Sequence, residues 1–127
     1  MLTWMASACG PSAEKLDADR VTRSIDVLRN APAGAPTSRL SLVEELEKQP
    51  ATGTLAVSAR DTCAKAYRSF EEASILEARV RKAMENPNAM TPTLLQDLAD
   101  ADEKLKASKA AMPECERAVS VLRMAFR

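Results

Sequence analysis

The feature that most constrains this chain is a long heptad pattern near its C-terminus. From Leu94 to Phe126, apolar or small residues recur at alternating intervals of four and three. The positions are Leu94, Leu98, Ala101, Leu105, Ser108, Met112, Cys115, Val119, Leu122 and Phe126. Seven residues make about two helical turns, so this spacing puts one stripe of side chains along a single helix. We predict a helix over about 91–126, with Thr91 as its N-cap and Pro92 in its first turn.

A preceding helix, predicted over about 54–85, carries a matching stripe. Its members are Ala59, Cys63, Ala66, Phe70 and Ala73, followed after a small shift in register by Leu76, Val80 and Met84. Residues 86–90 contain a proline and two asparagines and predict a short turn. The two helices therefore form an antiparallel hairpin, whose facing residues must have position numbers that add to a constant.

The two cysteines of the hairpin satisfy this condition. Cys63 and Cys115 have numbers that add to 178, twice 89, and position 89 lies inside the predicted turn. The same sum pairs Phe70 with Ser108, Ala73 with Leu105, Val80 with Leu98, Met84 with Leu94 and Ala59 with Val119. We therefore predict a disulfide between Cys63 and Cys115. The alternative is that both are buried thiols that pack as small apolar residues.

Two residues disturb the hairpin pattern. Glu77 falls opposite Ala101 in the stripe, and the shift in register near Leu76 is expected to turn its side chain outward. Pro113 lies inside the last helix, where it removes one backbone hydrogen bond and crowds the preceding turn. We expect a kink near residues 109–112; the alternative is a break into two helices.

The N-terminal half predicts two shorter helices. One follows Ser12 as N-cap and ends near Asn30, with Ala18, Val21, Ile25 and Leu28 on one face. The segment 31–37 has two prolines and a glycine and predicts a loop. The next helix is expected over about 38–49, with Leu42, Val43 and Leu46 turned inward. Because a hairpin cannot bury its stripe alone, these helices should pack on it. The fold class is all-α, with 12–127 as one helical domain.

Composition excludes several kinds of chemistry. The 127 residues include no histidine, which removes histidine-based catalysis and nearly all zinc and di-iron sites. Lysine and arginine total 18, as do aspartate and glutamate, so no basic excess attracts nucleic acid. The carboxylate pairs, among them Glu71-Glu72, are expected on solvated helix faces away from the stripe. We expect no enzymatic activity, no cofactor, no metal and no small-molecule substrate.

A basic cluster near the tip of the hairpin is the one candidate partner surface. It consists of Arg79, Arg81 and Lys82 and would suit an acidic partner or lipid headgroups. The alternative is that these charges only complement the dipole of the helix C-terminus.

The segment Ala6-Ser7-Ala8-Cys9 resembles the lipobox of bacterial lipoproteins. The resemblance implies that Cys9 carries a lipid, that residues 1–11 are the remnant of a signal and lipidation segment, and that the chain is periplasmic or anchored to the outer membrane. The alternatives are a secreted protein, or a disordered N-terminus with an incidental cysteine. Pairing the remaining two cysteines agrees with export, because disulfides persist outside the cytosol.

These observations lead to two hypotheses of function. The first is a non-enzymatic, lipid-anchored helical binding or scaffold protein that contacts another envelope protein. The second is a cytosolic helical adaptor, or chaperone-like module, that dimerises through its heptad stripe.

Overall fold

The computed structural model describes residues 12–32, 34–88 and 90–127, and every regular element within those ranges is an α-helix. The helices are α1 (Ala13–Asn30), α2 (Pro36–Glu47), α3 (Thr54–Ala83) and α4 (Pro92–Ala125). The predicted all-α class is thus confirmed. Cys9 and position 89, the predicted centre of the turn, lie outside the described residues.

The antiparallel hairpin and its cross-link are present as predicted. The sulfur atoms of Cys63 and Cys115 are bonded at 2.06 Å, and their Cα atoms are 4.6 Å apart. In α4 the residues Leu94, Ala101, Ser108, Cys115 and Leu122, seven apart, are all buried. The Ser108 hydroxyl donates to the Ala66 carbonyl oxygen of α3 at 2.9 Å. The small side chains of this stripe let the two helices approach closely along their length.

Local interactions at the N-termini of the helices explain where the helices begin. Ser12 and Thr91 cap α1 and α4 by accepting hydrogen bonds from the backbone N–H groups of Lys15 and Leu94, each at 3.1 Å. α2 begins at Pro36, two residues before the predicted start, so the predicted loop 31–37 is too long. Proline fits the first turn of a helix, because the backbone N–H that it lacks would have no hydrogen-bond acceptor within the helix there.

α4 continues through Pro113 without interruption. The alternative of two separate helices is therefore wrong, whereas a bend near residues 109–112 stays a prediction. The buried residues Ala111 and Cys115 flank the proline and hold this part of α4 on the core.

Three residues assigned to the stripe are exposed instead of buried. Phe70 retains 42% of its accessible surface, and Met84 and Leu98 also face solvent. On α3 the buried surface also includes Ala64 and Tyr67, because α1 and α2 pack on this helix in addition to α4. Phe70 lies at the edge of this wider buried surface and therefore remains partly exposed. Glu77 is exposed, as predicted.

The two N-terminal helices pack against only one end of the hairpin. We call this end, together with α1 and α2, the base. α1 runs antiparallel to the last turns of α4: Lys15 Nζ donates to the Phe126 carbonyl, Arg123 pairs with Asp26 and Arg29 pairs with Glu116. α2 runs antiparallel to α3: Arg39 pairs with Glu71, Arg68 with Glu47, and Arg60 donates to the Gln49 carbonyl. The rest, residues 72–88 and 90–107, is called the distal hairpin.

The main hydrophobic core lies in the base. It is formed by the inward faces of all four helices, with Val21, Ile25, Leu28, Val43, Leu46, Cys63 and Cys115 fully buried. In the distal hairpin the buried residues are Ala73, Val80, Leu94 and Ala101, which lie in a single layer between two helices. The molecule is therefore a four-helix base with a two-helix projection.

Candidate interaction surface

Large apolar side chains are exposed at the far end of the distal hairpin. Met84 is 56% exposed, Met90 63%, Leu95 54% and Leu98 40%. We call these four residues the tip surface. The heptad stripe predicts that two of them, Met84 and Leu98, point toward the opposite helix of the hairpin. They remain outside because a two-helix layer has only one interface, and neither α1 nor α2 extends far enough to cover the other faces.

The structure divides the basic cluster between two sides of α3. Arg79 and Lys82 line a groove of about 520 Å³ beside the turn, together with Asn86, Thr91 and Asp97. Arg79 Nη1 lies 3.6 Å from the Asp97 carboxylate of α4. Arg81 lines a different groove, described below. Helix geometry explains the division, because residues two apart point to opposite sides and residues three apart share a face. Arg79 and Lys82 therefore line one groove and Arg81 another, and a role of the three residues in binding a partner stays a prediction.

One carboxylate that was expected in solvent is buried. The Glu71 side chain is 2% exposed, and its Oε2 accepts a hydrogen bond from Arg39 Nε at 2.7 Å. Arg39 Nη1 also donates to the Ala31 carbonyl oxygen at 2.7 Å. The expectation that Glu71 and Glu72 share a solvated face is wrong for Glu71. The sequence did carry a signal, because Glu71 follows the buried residue Tyr67 by one helical turn.

The groove above this ion pair has a volume of about 510 Å³. Its walls come from the end of α1, the linker to α2, the first turns of α2 and the second half of α3. Its charged side chains are Arg29, Arg39, Arg81, Glu71 and Glu77, and Phe70 forms an apolar wall. We call it the arginine groove. Sequence reasoning missed it, since its residues come from two stretches that are far apart in the chain, 29–39 and 70–81.

Arg29 lines the groove, but its charge is paired within the base. Burial by itself would lower the pKa of Arg29, but Tyr67, Glu116 and Asp26 together raise it. Its Nη2 atom lies 3.0 Å from Glu116 Oε1. The charge of Arg29 is thus balanced by the carboxylate of α4, as that of Arg39 is by Glu71, whereas Arg81 has no ion pair among the described residues.

Neither metal-binding nor membrane-spanning features occur in the described part of the chain. No three acidic or cysteine side chains there are grouped so that they could hold a metal ion. None of the helices α1–α4 has an apolar stretch of the length that crossing a bilayer requires.

Comparison with known proteins gives no relative from which a function could be transferred. No protein-family model, no curated protein and no solved structure matches this chain.

Proposed function

We propose that this protein is a non-enzymatic helical binding or scaffold protein that acts outside the cytoplasm, anchored through a lipid on Cys9. It contacts another envelope protein through the distal hairpin. The observation that carries this proposal is the tip surface, four large apolar side chains that are 40–63% exposed on a projection from a well-packed base.

The shape of the molecule supports a binding role for the tip. Exposed apolar side chains that are scattered singly are normal, whereas a concentration of them marks an interaction site. The four residues of the tip surface all lie within two helical turns of the connection between α3 and α4. Met84 and Met90 are flexible and polarisable, which suits a contact surface that adapts to its partner. The base supplies rigidity, because its core is closed by all four helices and by a covalent link.

The Cys63–Cys115 disulfide supports the compartment. Disulfides persist in oxidising environments such as the periplasm and are rare in the cytosol. Both cysteines are fully buried, so the bond is part of the core rather than an exposed redox group. An oxidising address and a lipid anchor on Cys9 are mutually consistent.

We expect a photo-crosslinking residue at position 95 to capture one partner in the native envelope, identified by mass spectrometry. In the same chain, Leu98→Glu should reduce the captured amount by about tenfold or more, because a charge at the centre of an apolar contact removes hot-spot packing and must be desolvated.

Val27→Glu is the matched control for that experiment. Val27 is similarly exposed, but it lies on α1 in the base. Capture that is unchanged by Leu98→Glu, or equally reduced by Val27→Glu, would contradict a role for the tip surface.

Lipid anchoring is tested separately with Cys9→Ser. The unaltered chain should incorporate radiolabelled palmitate and sediment with the membrane fraction after a high-salt wash, because a covalent acyl chain binds the bilayer through its buried methylene groups. Cys9→Ser should abolish both the label and the sedimentation while the Cys63–Cys115 bond still forms. Label that persists in Cys9→Ser would exclude this anchor.

A second candidate function is a cytosolic adaptor that dimerises. The observation that favours it is the exposure of Met84 and Leu98, two stripe positions that a second copy could cover. Capture of the same chain in the cytosolic fraction, in place of another protein in the envelope, would select this candidate.

A further inference from the structure

We propose that the arginine groove binds a carboxylate that a partner polypeptide carries next to an apolar side chain. This inference rests on the proposed function, in that the ligand belongs to a protein. The groove has the volume of a small-ligand site, about 510 Å³, and its lining combines three arginines, two glutamates and one apolar wall.

Arg39 is a fixed donor at the bottom of the groove. Its Nε is held by Glu71 and its Nη1 by the Ala31 carbonyl, each at 2.7 Å. No acceptor for its remaining nitrogen, Nη2, lies among the described residues. The side chain is only 11% exposed and already immobilised, so a ligand that accepts from Nη2 meets a preorganised group and loses little further side-chain entropy.

Arg81 supplies the second basic group, at the rim. It is exposed and makes no ion pair with any residue in the described ranges. The charge of Glu71 is offset by Arg39, and that of Arg29 by Glu116, so the charges left at the groove are Arg81 and Glu77. The first turn of α2 beside them has neither a side-chain cap nor an acidic residue, so the partial positive charge of the helix N-terminus is not offset there.

Phe70 gives the groove its preference for an apolar neighbour. Its ring lines the groove and is 42% exposed. A carboxylate that reaches Arg39 and Arg81 would bring the side chain beside it against this ring. The C-terminal residue of a polypeptide has this chemistry, as does an internal aspartate or glutamate followed by an apolar residue.

The test is a titration of the ¹⁵N-labelled, disulfide-bonded chain, followed by NMR. The probes are N-acetyl-leucine, N-acetyl-leucinamide and the amidated peptide acetyl-Asp-Leu. We expect N-acetyl-leucine to shift the amide signals of Gly34, Arg39 and Ser74, and the uncharged amide to shift none of them. If acetyl-Asp-Leu-amide binds more tightly than N-acetyl-leucine, the carboxylate comes from an internal acidic residue; if it binds less tightly, from a chain terminus.

Variants of the two rim charges sharpen the test, because they should have opposite effects. Arg81→Gln should weaken binding of N-acetyl-leucine by about fivefold, and Glu77→Gln should strengthen it by about twofold. Phe70→Ala should weaken it as well. Arg79→Gln is the matched control: it removes the same charge two residues away, on the other side of α3, and should leave binding unchanged.

Three results would overturn the inference: equal shifts with the acid and the amide, equal weakening by Arg79→Gln and Arg81→Gln, or no shift at millimolar probe concentrations. Inorganic phosphate that binds as tightly as N-acetyl-leucine would also overturn it, because Phe70 would then add nothing. None of these results bears on the tip surface, which is tested by crosslinking at position 95.

Discussion

Replacing both Cys63 and Cys115 with alanine is expected to lower the free energy of unfolding by about 4 kcal/mol. The bond closes a loop between residues that are 52 positions apart, and the chain-entropy model gives this magnitude for a loop of that length. For a chain of 127 residues this is a large part of the total stability. Urea denaturation of the oxidised and variant proteins, followed by far-ultraviolet circular dichroism, measures the difference.

The reduced form of the unaltered chain is the control for this prediction. It keeps both sulfur atoms in the core, so it separates the cross-link from the packing that the alanines remove. The reduced protein should show most of the loss seen in the alanine variant, which in addition lacks the two buried sulfur atoms. A loss of less than about 1 kcal/mol in both would mean that the bond does not constrain the unfolded chain as the model requires. Alkylation of either thiol in the native oxidised protein would refute the bond itself.

Arg39→Met is expected to lower the free energy of unfolding by about 3–5 kcal/mol. The substitution leaves the Glu71 carboxylate, only 2% exposed, without the guanidinium that balances its charge. Adding Glu71→Met should restore most of the loss, because two apolar side chains of similar volume can replace a buried ion pair at little cost. Thermal and urea denaturation of the single and double variants complete a double-mutant cycle.

Arg68→Met provides a matched comparison for that cycle. Arg68 pairs with Glu47 at 2.6 Å, again between α3 and α2, but its side chain is 31% exposed and that of Glu47 41%. The pair is therefore screened by water, and its loss should reduce stability by about 1 kcal/mol or less. Equal effects of Arg39→Met and Arg68→Met would show that burial does not determine the strength of these pairs.

The hairpin was predictable from the sequence because the evidence for it consists of residue spacings along the chain. The heptad spacing indicates which residues share a helix face, and the sum of the two cysteine numbers sets the register independently. Neither signal depends on where α1 and α2 pack. The sequence predicts a loop at Pro36 because prolines are common in loops, although the first turn of a helix accepts one equally well.

The surfaces were less predictable, because they depend on where α1 and α2 end. Nothing in the stripe itself indicates that Met84 and Leu98 lie beyond the reach of those helices, or that Glu71 lies beneath Arg39. The division of Arg79 from Arg81 is different. It follows from helix geometry and could have been predicted from their spacing alone.

The Cys63–Cys115 bond makes a covalent ring of the chain between these two residues. The whole distal hairpin, with the turn and the tip surface, lies within that ring. A protease that cuts once in the turn therefore opens the ring but detaches no fragment, because the two pieces of the cut chain remain joined by the disulfide. Release of the tip requires a second cut within the ring, so a molecule that is cut once in the turn would keep its projection.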